Sequence, residues 1–201
     1  MIAALGRRWE LLLPGRARLG EELMARWSEP HRHYHDVGHL SDALAALDFL
    51  GPASRSEEFA LWYHDAVHTS SPGHDEQFSA MLAAQELAAV GIEAAEVSEV
   101  VRLVLVTIDH SPAAGDGAGA RVSDADLAIL GTGPDRYRAS VQALRREAAG
   151  MDEATWRTAR RAALAAFAAT RPLFHTPRGH STWEGPARAN LAAEGEHYRA
   201  E

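Results

Sequence analysis

Val101-Arg102-Leu103-Val104-Leu105-Val106 is the stretch on which the fold class turns. Three of its six residues are valines, whose branched Cβ suits a pleated strand and costs a little rotamer freedom in a helix. The flanks, however, repeat apolar residues with helical rather than alternating spacing, which assigns the stretch to a helix over 93–109. With that strand removed, strand alternation is nearly absent from the chain, and the expected class is all-α.

Helical periodicity continues outward in both directions. A first helix is expected over 2–13, stopped by Pro14-Gly15, and a second over 17–27, before Pro30. Residues 38–50 read as a helix ending at Gly51-Pro52. Ser54 and Glu57 have capping-box spacing and would open a helix running through His68. Further helices fit 74–90, 124–131, 135–149, 152–170 and 183–198. The glycine-rich segment 111–121 reads as a flexible loop. It does not divide the chain into domains, because neither side of it carries all the candidate ligands described below. The expectation is one compact helical bundle over residues 1–201.

Composition narrows the chemistry. There is no cysteine, which excludes thiolate nucleophiles, cysteine zinc sites and iron–sulfur clusters. All 20 basic residues are arginine, which excludes Schiff-base lysines and a P-loop lysine. A formal charge of −8 gives no basic face for nucleic acid. No apolar run approaches the roughly 20 residues that span a bilayer, and the N-terminus lacks the order of a signal peptide. A cytoplasmic protein is therefore expected. Arg136, Arg138, Arg145, Arg146, Arg157, Arg160 and Arg161 read as a solvated helix face paired with Glu147 and Glu153.

What remains is histidine, carboxylate and arginine chemistry, and it is concentrated. Seven of the eleven histidines fall between residues 31 and 74. Four lie in His31-Arg32-His33-Tyr34-His35-Asp36-Val37-Gly38-His39. His64-Asp65 follows within Leu61-Trp62-Tyr63-His64-Asp65-Ala66-Val67-His68, among apolar neighbours that place the pair inside. A buried ionised carboxylate costs several kcal/mol unless it is paired or bound to a cation, and a divalent metal would use both residues as ligands. Without a metal, the pair would be a core histidine bonded to Asp65. His35 and His39, like His64 and His68, are four apart and share a face if helical. Asp126, in Ser123-Asp124-Ala125-Asp126-Leu127-Ala128-Ile129-Leu130-Gly131, is either a helix-dipole partner or a further ligand.

The order His…His-Asp…Asp resembles the HD-domain superfamily of metal-dependent phosphohydrolases, and most closely a bacterial group of predicted HD-type phosphohydrolases. The block Arg32-His33-Tyr34-His35-Asp36-Val37-Gly38-His39 is similar to the group's Arg-x-Tyr-His-Asn-x-x-His pattern. Trp62-Tyr63-His64-Asp65-Ala66-Val67 and Asp124-Ala125-Asp126-Leu127-Ala128-Ile129-Leu130-Gly131 are similar to its second and third blocks. The segments Trp156-Arg157 to Phe167, Leu173-Phe174 and Ala187-Arg188-Ala189-Asn190-Leu191 extend the resemblance over roughly 27–195.

The resemblance implies an HD-type helical domain in which His39, His64, Asp65 and Asp126 hold a divalent ion. The metal would be manganese, iron, cobalt, nickel, zinc or magnesium. It implies hydrolysis of a phosphoester of a nucleotide or other small phosphorylated metabolite by a metal-activated water, whose pKa falls from about 15.7 towards 7. By similarity to cyclic-nucleotide phosphodiesterases, a distant branch, His35 would protonate the leaving oxygen, with His110 as the other candidate donor. Asp36 replaces the commoner Asn; its carboxylate would favour protonated His35 while adding negative charge where a phosphate docks.

Arg32 is the first candidate for binding phosphate and Arg102 the second. His68 and His110 would make a second metal possible, or would position water or substrate. Glu76 could reach the site from the next helix start. Trp62, Trp156, Trp183 and Phe174 could line a base pocket or fill the core. Two other classes stay open: a two-iron HD-type oxygenase that recruits His68 and His110 as ligands, and a non-catalytic module whose metal only ties helices together. Oligomeric state is not readable from the sequence.

Overall fold

The stretch 101–106 is helical in the computed structural model, which describes residues 1–71 and 73–200. It lies within α6 (Ala94–Val106). The valines explain why: Val97, Val100 and Val104, with Leu103, form one buried stripe at helical spacing. Among the described residues there is no strand, and the chain is all-α. No helix of the described residues is long and apolar enough to cross a membrane.

The first six helices are α1 (Ile2–Leu12), α2 (Ala17–Trp27), α3 (Val37–Leu50), α4 (Arg55–Tyr63), α5 (His74–Ala89) and α6. They are followed by α7 (Gly117–Asp126), a 3-10 turn (Leu127–Gly131), α8 (Pro134–Glu147) and α9 (Glu153–Ala169). The chain finishes with a single helical turn, α10 (Pro177–Gly179), a π-helical turn (His180–Glu184) and α11 (Gly185–Ala200).

Several boundaries differ from expectation: the helix expected over 93–109 ends at Val106, the one expected over 124–131 is the end of α7 followed by the 3-10 turn, and two further differences have clear causes. Helix α4 begins at the expected capping box of Ser54 and Glu57 but ends at Tyr63, short of His68. The backbone beyond it finds tertiary partners instead of helical ones. The carbonyls of Asp65 and Ala66 accept from Arg32 (2.7 and 3.2 Å), and the Val67 and Thr69 N–H groups donate to Ser79 and Asp75. The segment 111–121 is also shorter as a loop than its composition suggests, because α7 starts at Gly117. Asp116 caps it by accepting from the Gly119 N–H (2.9 Å) and is itself held by Arg102.

Two apolar cores meet. The larger joins α1 to α7 around Trp9, Trp27, Phe59 and Trp62; the smaller joins the 3-10 turn, α8, α9 and α11 around Tyr137, Leu164 and Phe174. Trp183 packs against both. Its Cα lies 2.7 Å from where a side chain on Gly131 would begin, so only glycine allows this junction. Trp62, Trp156 and Phe174 are buried in these cores, and Trp183 stacks among Phe49 and Phe174. None of the four lines the ligand cavity described below.

Candidate metal centre

Helix α3 and the turn after α4 bring the two histidine segments together. Asp36 is the N-cap of α3, accepting from the Gly38 and His39 N–H groups (2.7 and 3.3 Å). This commits the carboxylate to the helix start and aims His39 inward from the first turn. Arg32 fastens this loop to the turn carrying His64 and Asp65. Its Nη1 donates to the carbonyls of His35 and Asp65 (3.0 and 2.7 Å), its Nη2 to Ala66 and its Nε to Glu29 (3.0 Å). All three nitrogens therefore have protein acceptors, and Arg32 is a buried clamp rather than an open phosphate donor.

His39, His64 and Asp126 place ligand atoms within 4.8 Å of one another, a group that could hold a metal ion. His39 Nε2 lies 3.1 Å from His64 Nε2 and 3.1 Å from Asp126 Oδ1. Asp65 Oδ2 lies 3.2 Å from His64 Nε2 and 3.7 Å from His39 Nε2. The four expected ligands thus converge from α3, the turn after α4 and the end of α7.

The orientation of His64 decides what this cluster can do. Its Nδ1 is 2.8 Å from the Leu61 carbonyl, an acceptor only, so Nδ1 carries a proton. In the neutral ring Nε2 is then a lone pair facing His39 and both carboxylates, the tautomer a metal ligand requires. Burial disfavours charge on His64, yet Asp65 and Asp126 outweigh it and raise its pKa well above the histidine value. Burial likewise pushes Asp65 and Asp126 up, and the facing histidines reverse that and hold both below the usual carboxylate range. Two carboxylates facing two imidazole nitrogens balance their charge either by protonating His64 or by holding a cation, and a divalent ion could engage all four.

A second group adjoins the first. Glu147, the last residue of α8, accepts from the backbone N–H groups of His33, Tyr34 and His35 (2.9, 3.2 and 3.1 Å) through Oε1. Its Oε2 lies 2.6 Å from His35 Nδ1 and 3.4 Å from His68 Nε2. Burial raises the Glu147 pKa, but His35 and His68 more than offset this and hold it below the usual range. The carboxylate that meets His35 is thus Glu147, not Asp36, and Glu147 is no surface partner of the nearby arginines. His35, His68 and Glu147 also lie close enough to hold an ion, although Glu147 Oε1 is already engaged by three N–H groups.

His110 sits at the edge, its Nε2 3.9 Å from Asp126 Oδ2 and its Nδ1 3.4 Å from Ser123 Oγ. Burial lowers its pKa. Its φ of 53° is left-handed backbone, which costs a non-glycine residue roughly 1–3 kcal/mol. Glu76 caps α5 by accepting from the Gly73 N–H (2.6 Å), and burial raises its pKa. Arg102 is exposed and bound to Glu99 and Asp116.

Beside the metal-type ligands lies a cavity of about 200 Å³ lined by His35, Asp65, Glu76, His110, Asp126 and Arg160, among others. A larger cavity, about 560 Å³, opens between α8, α9 and α11. It collects no such ligand group among the described residues.

Glu147 and Arg160 are the site residues that the sequence reading placed on a solvated face. Glu147 left one signal, an acid at a helix C-terminus, where the dipole disfavours it. Arg160 left another: with Trp156, Leu164 and Phe167 it occupies the apolar stripe of α9, whereas Arg161 is exposed. No family model matches the chain, nor does any curated protein or solved structure.

Proposed function

We propose that this chain is a metal-dependent phosphohydrolase of HD type, acting on a phosphoester of a nucleotide or other small phosphorylated metabolite. The observation that carries the reading is the convergence of His39, His64, Asp65 and Asp126, with the His64 tautomer set for ligation. These four residues would hold one divalent ion. When bound, such an ion supplies a Lewis acid for phosphoryl chemistry and acidifies water at neutral pH.

The protein's own groups have distinct tasks. Asp65 and Asp126 offset the ion's charge. His35 lines the cavity and is fixed by Glu147 on Nδ1, which leaves Nε2 to give a proton to a leaving oxygen. Tyr34, held neutral by burial and by the charges of Asp126 and Asp65, closes the side of the cavity next to His39. The cavity beside the carboxylates supports a working site over a purely structural ion, which is closed on all sides. A two-iron oxygenase would draw further ligands from His68 and His110. His68 instead stands with Glu147 in the second group, and His110 Nε2 is 3.9 Å from Asp126 Oδ2, so metal content per chain separates the two readings.

The test is phosphate release from a panel of phosphoesters by metal-loaded protein, with His35→Ala alongside. His35→Ala is expected to keep its metal and lose about 10²–10⁴-fold in turnover. A His35→Ala protein as active as the wild type contradicts the assigned proton donor. Metal binding with no release from any phosphoester contradicts the hydrolase.

A further inference from the structure

A phosphoryl group in this cavity meets Asp65, Asp126 and Glu76, and a divalent ion is already balanced by its two carboxylate ligands. A further cation is therefore needed to hold the substrate's charge. The chain has no lysine, Arg32 has all three nitrogens engaged, and Arg102 is paired on the surface. Among the residues lining the cavity, one carries a permanent positive charge: Arg160, from α9.

Arg160 is held in a fixed plane. Its Nε and Nη2 donate to the two oxygens of Glu194 (2.7 and 2.9 Å), and Nη2 also reaches the Tyr137 hydroxyl (3.3 Å). The Tyr137 hydroxyl donates in turn to Glu194 (2.5 Å). Nη1 makes no hydrogen bond among the described residues. A guanidinium has five N–H groups, so the pair on Nη1 stays available while the rest of the fork is immobilised. A buried ion pair adds little stability by itself, and placing one in the wall of a cavity with a metal-type ligand cluster has a more direct use.

We infer that Arg160 is the anion-recognition residue of this site, binding a phosphoryl oxygen through Nη1 while Glu194 and Tyr137 hold its plane. The inference rests on the phosphohydrolase reading and names how that substrate is gripped. The cavity, about 200 Å³, is smaller than the roughly 300–1,000 Å³ that encloses a whole drug-sized ligand. Its remaining walls include Leu130, Leu144 and Phe167. It therefore takes the phosphoryl end of the substrate, and the rest of the molecule stays outside.

The experiment titrates inorganic phosphate into metal-loaded protein by calorimetry, with metal content measured on each sample. Wild type, Glu194→Gln and the double variant Arg160→Gln/Glu194→Gln are compared; the double change avoids leaving Glu194 as an unpaired buried charge. The double variant should keep its metal and lose about tenfold or more in phosphate affinity. Glu194→Gln should bind phosphate several-fold more tightly, because the guanidinium is no longer neutralised; a purely structural role predicts equal or weaker binding. Unchanged affinity in the metal-loaded double variant overturns the role of Arg160 and leaves the hydrolase standing. Should the double variant not fold, Glu194→Gln decides alone, and anything but tighter binding overturns the inference. Wild type that holds metal but binds no phosphate overturns it as well, and wild type that holds no metal removes the reading on which it rests.

Discussion

His64 shows how much a single proton position decides. The Leu61 carbonyl takes the Nδ1 proton, and this leaves Nε2 facing His39, Asp65 and Asp126. His64 and Asp65 were legible in the sequence as a histidine beside an aspartate among apolar neighbours, a pair that needs a partner or a cation, whereas His39 and Asp126 were named as ligands by the resemblance of their blocks to the HD-type pattern. Glu147 was not legible in the same way. His33, Tyr34 and His35 lie 112 to 114 residues from it, and its one local signal, an acid at a helix C-terminus, does not say what it pairs with.

Its pKa gives a test at this scale. The folded value lies below the ordinary glutamate value near 4.3. Glu147 therefore stabilises the fold fully above that pH, and the contribution fades as pH falls towards the folded value. In Glu147→Gln, the loss of thermal stability between about pH 5 and 3 should be shallower than in wild type. Parallel curves would show that Glu147 does not carry this charge interaction.

At the scale of elements, most helices sit where apolar spacing and caps put them, and two exceptions have clear causes. Helix α4 stops at Tyr63 because Arg32, Ser79 and Asp75 take the backbone groups that a continuing helix would use. Helix α7 starts at Gly117 because Asp116 caps it and Arg102 holds the cap, although glycine costs about 1 kcal/mol per residue in a helix interior. Periodicity and propensity describe a segment by itself; the end of α4 is set by side chains from elsewhere, and the start of α7 by a local cap that Arg102 secures from α6. The contact between the 3-10 turn and Trp183 has the same character. Gly131→Ala would press a methyl group against the Trp183 backbone, and should cost about 1–3 kcal/mol in chemical unfolding. A variant as stable as wild type would mean that this junction yields freely.

In the whole molecule, the metal-type cluster lies on the first core and the cavity's opposite wall comes from the second. His39, His64 and Asp65 sit with α3 and α4, whereas Tyr137, Arg160 and Phe167 come from α8 and α9. The first half of this arrangement was readable as motifs. The second was not, because α8 and α9 contribute ordinary helical residues whose role depends on packing. An ion bound only by the folded chain stabilises it by mass action, by about 4 kcal/mol at a thousand times its dissociation constant. Stripping the metal with a chelator should therefore lower the unfolding midpoint reversibly.

The most direct measurement is elemental analysis of purified wild-type protein beside Asp65→Ala, each loaded with divalent metals and then desalted. At least one tightly held divalent ion per wild-type chain is expected, lost in Asp65→Ala while the helical content is kept. Wild-type protein that retains no ion under any loading, or an Asp65→Ala protein that retains it as well, would contradict the claim that these histidines and aspartates form a metal centre.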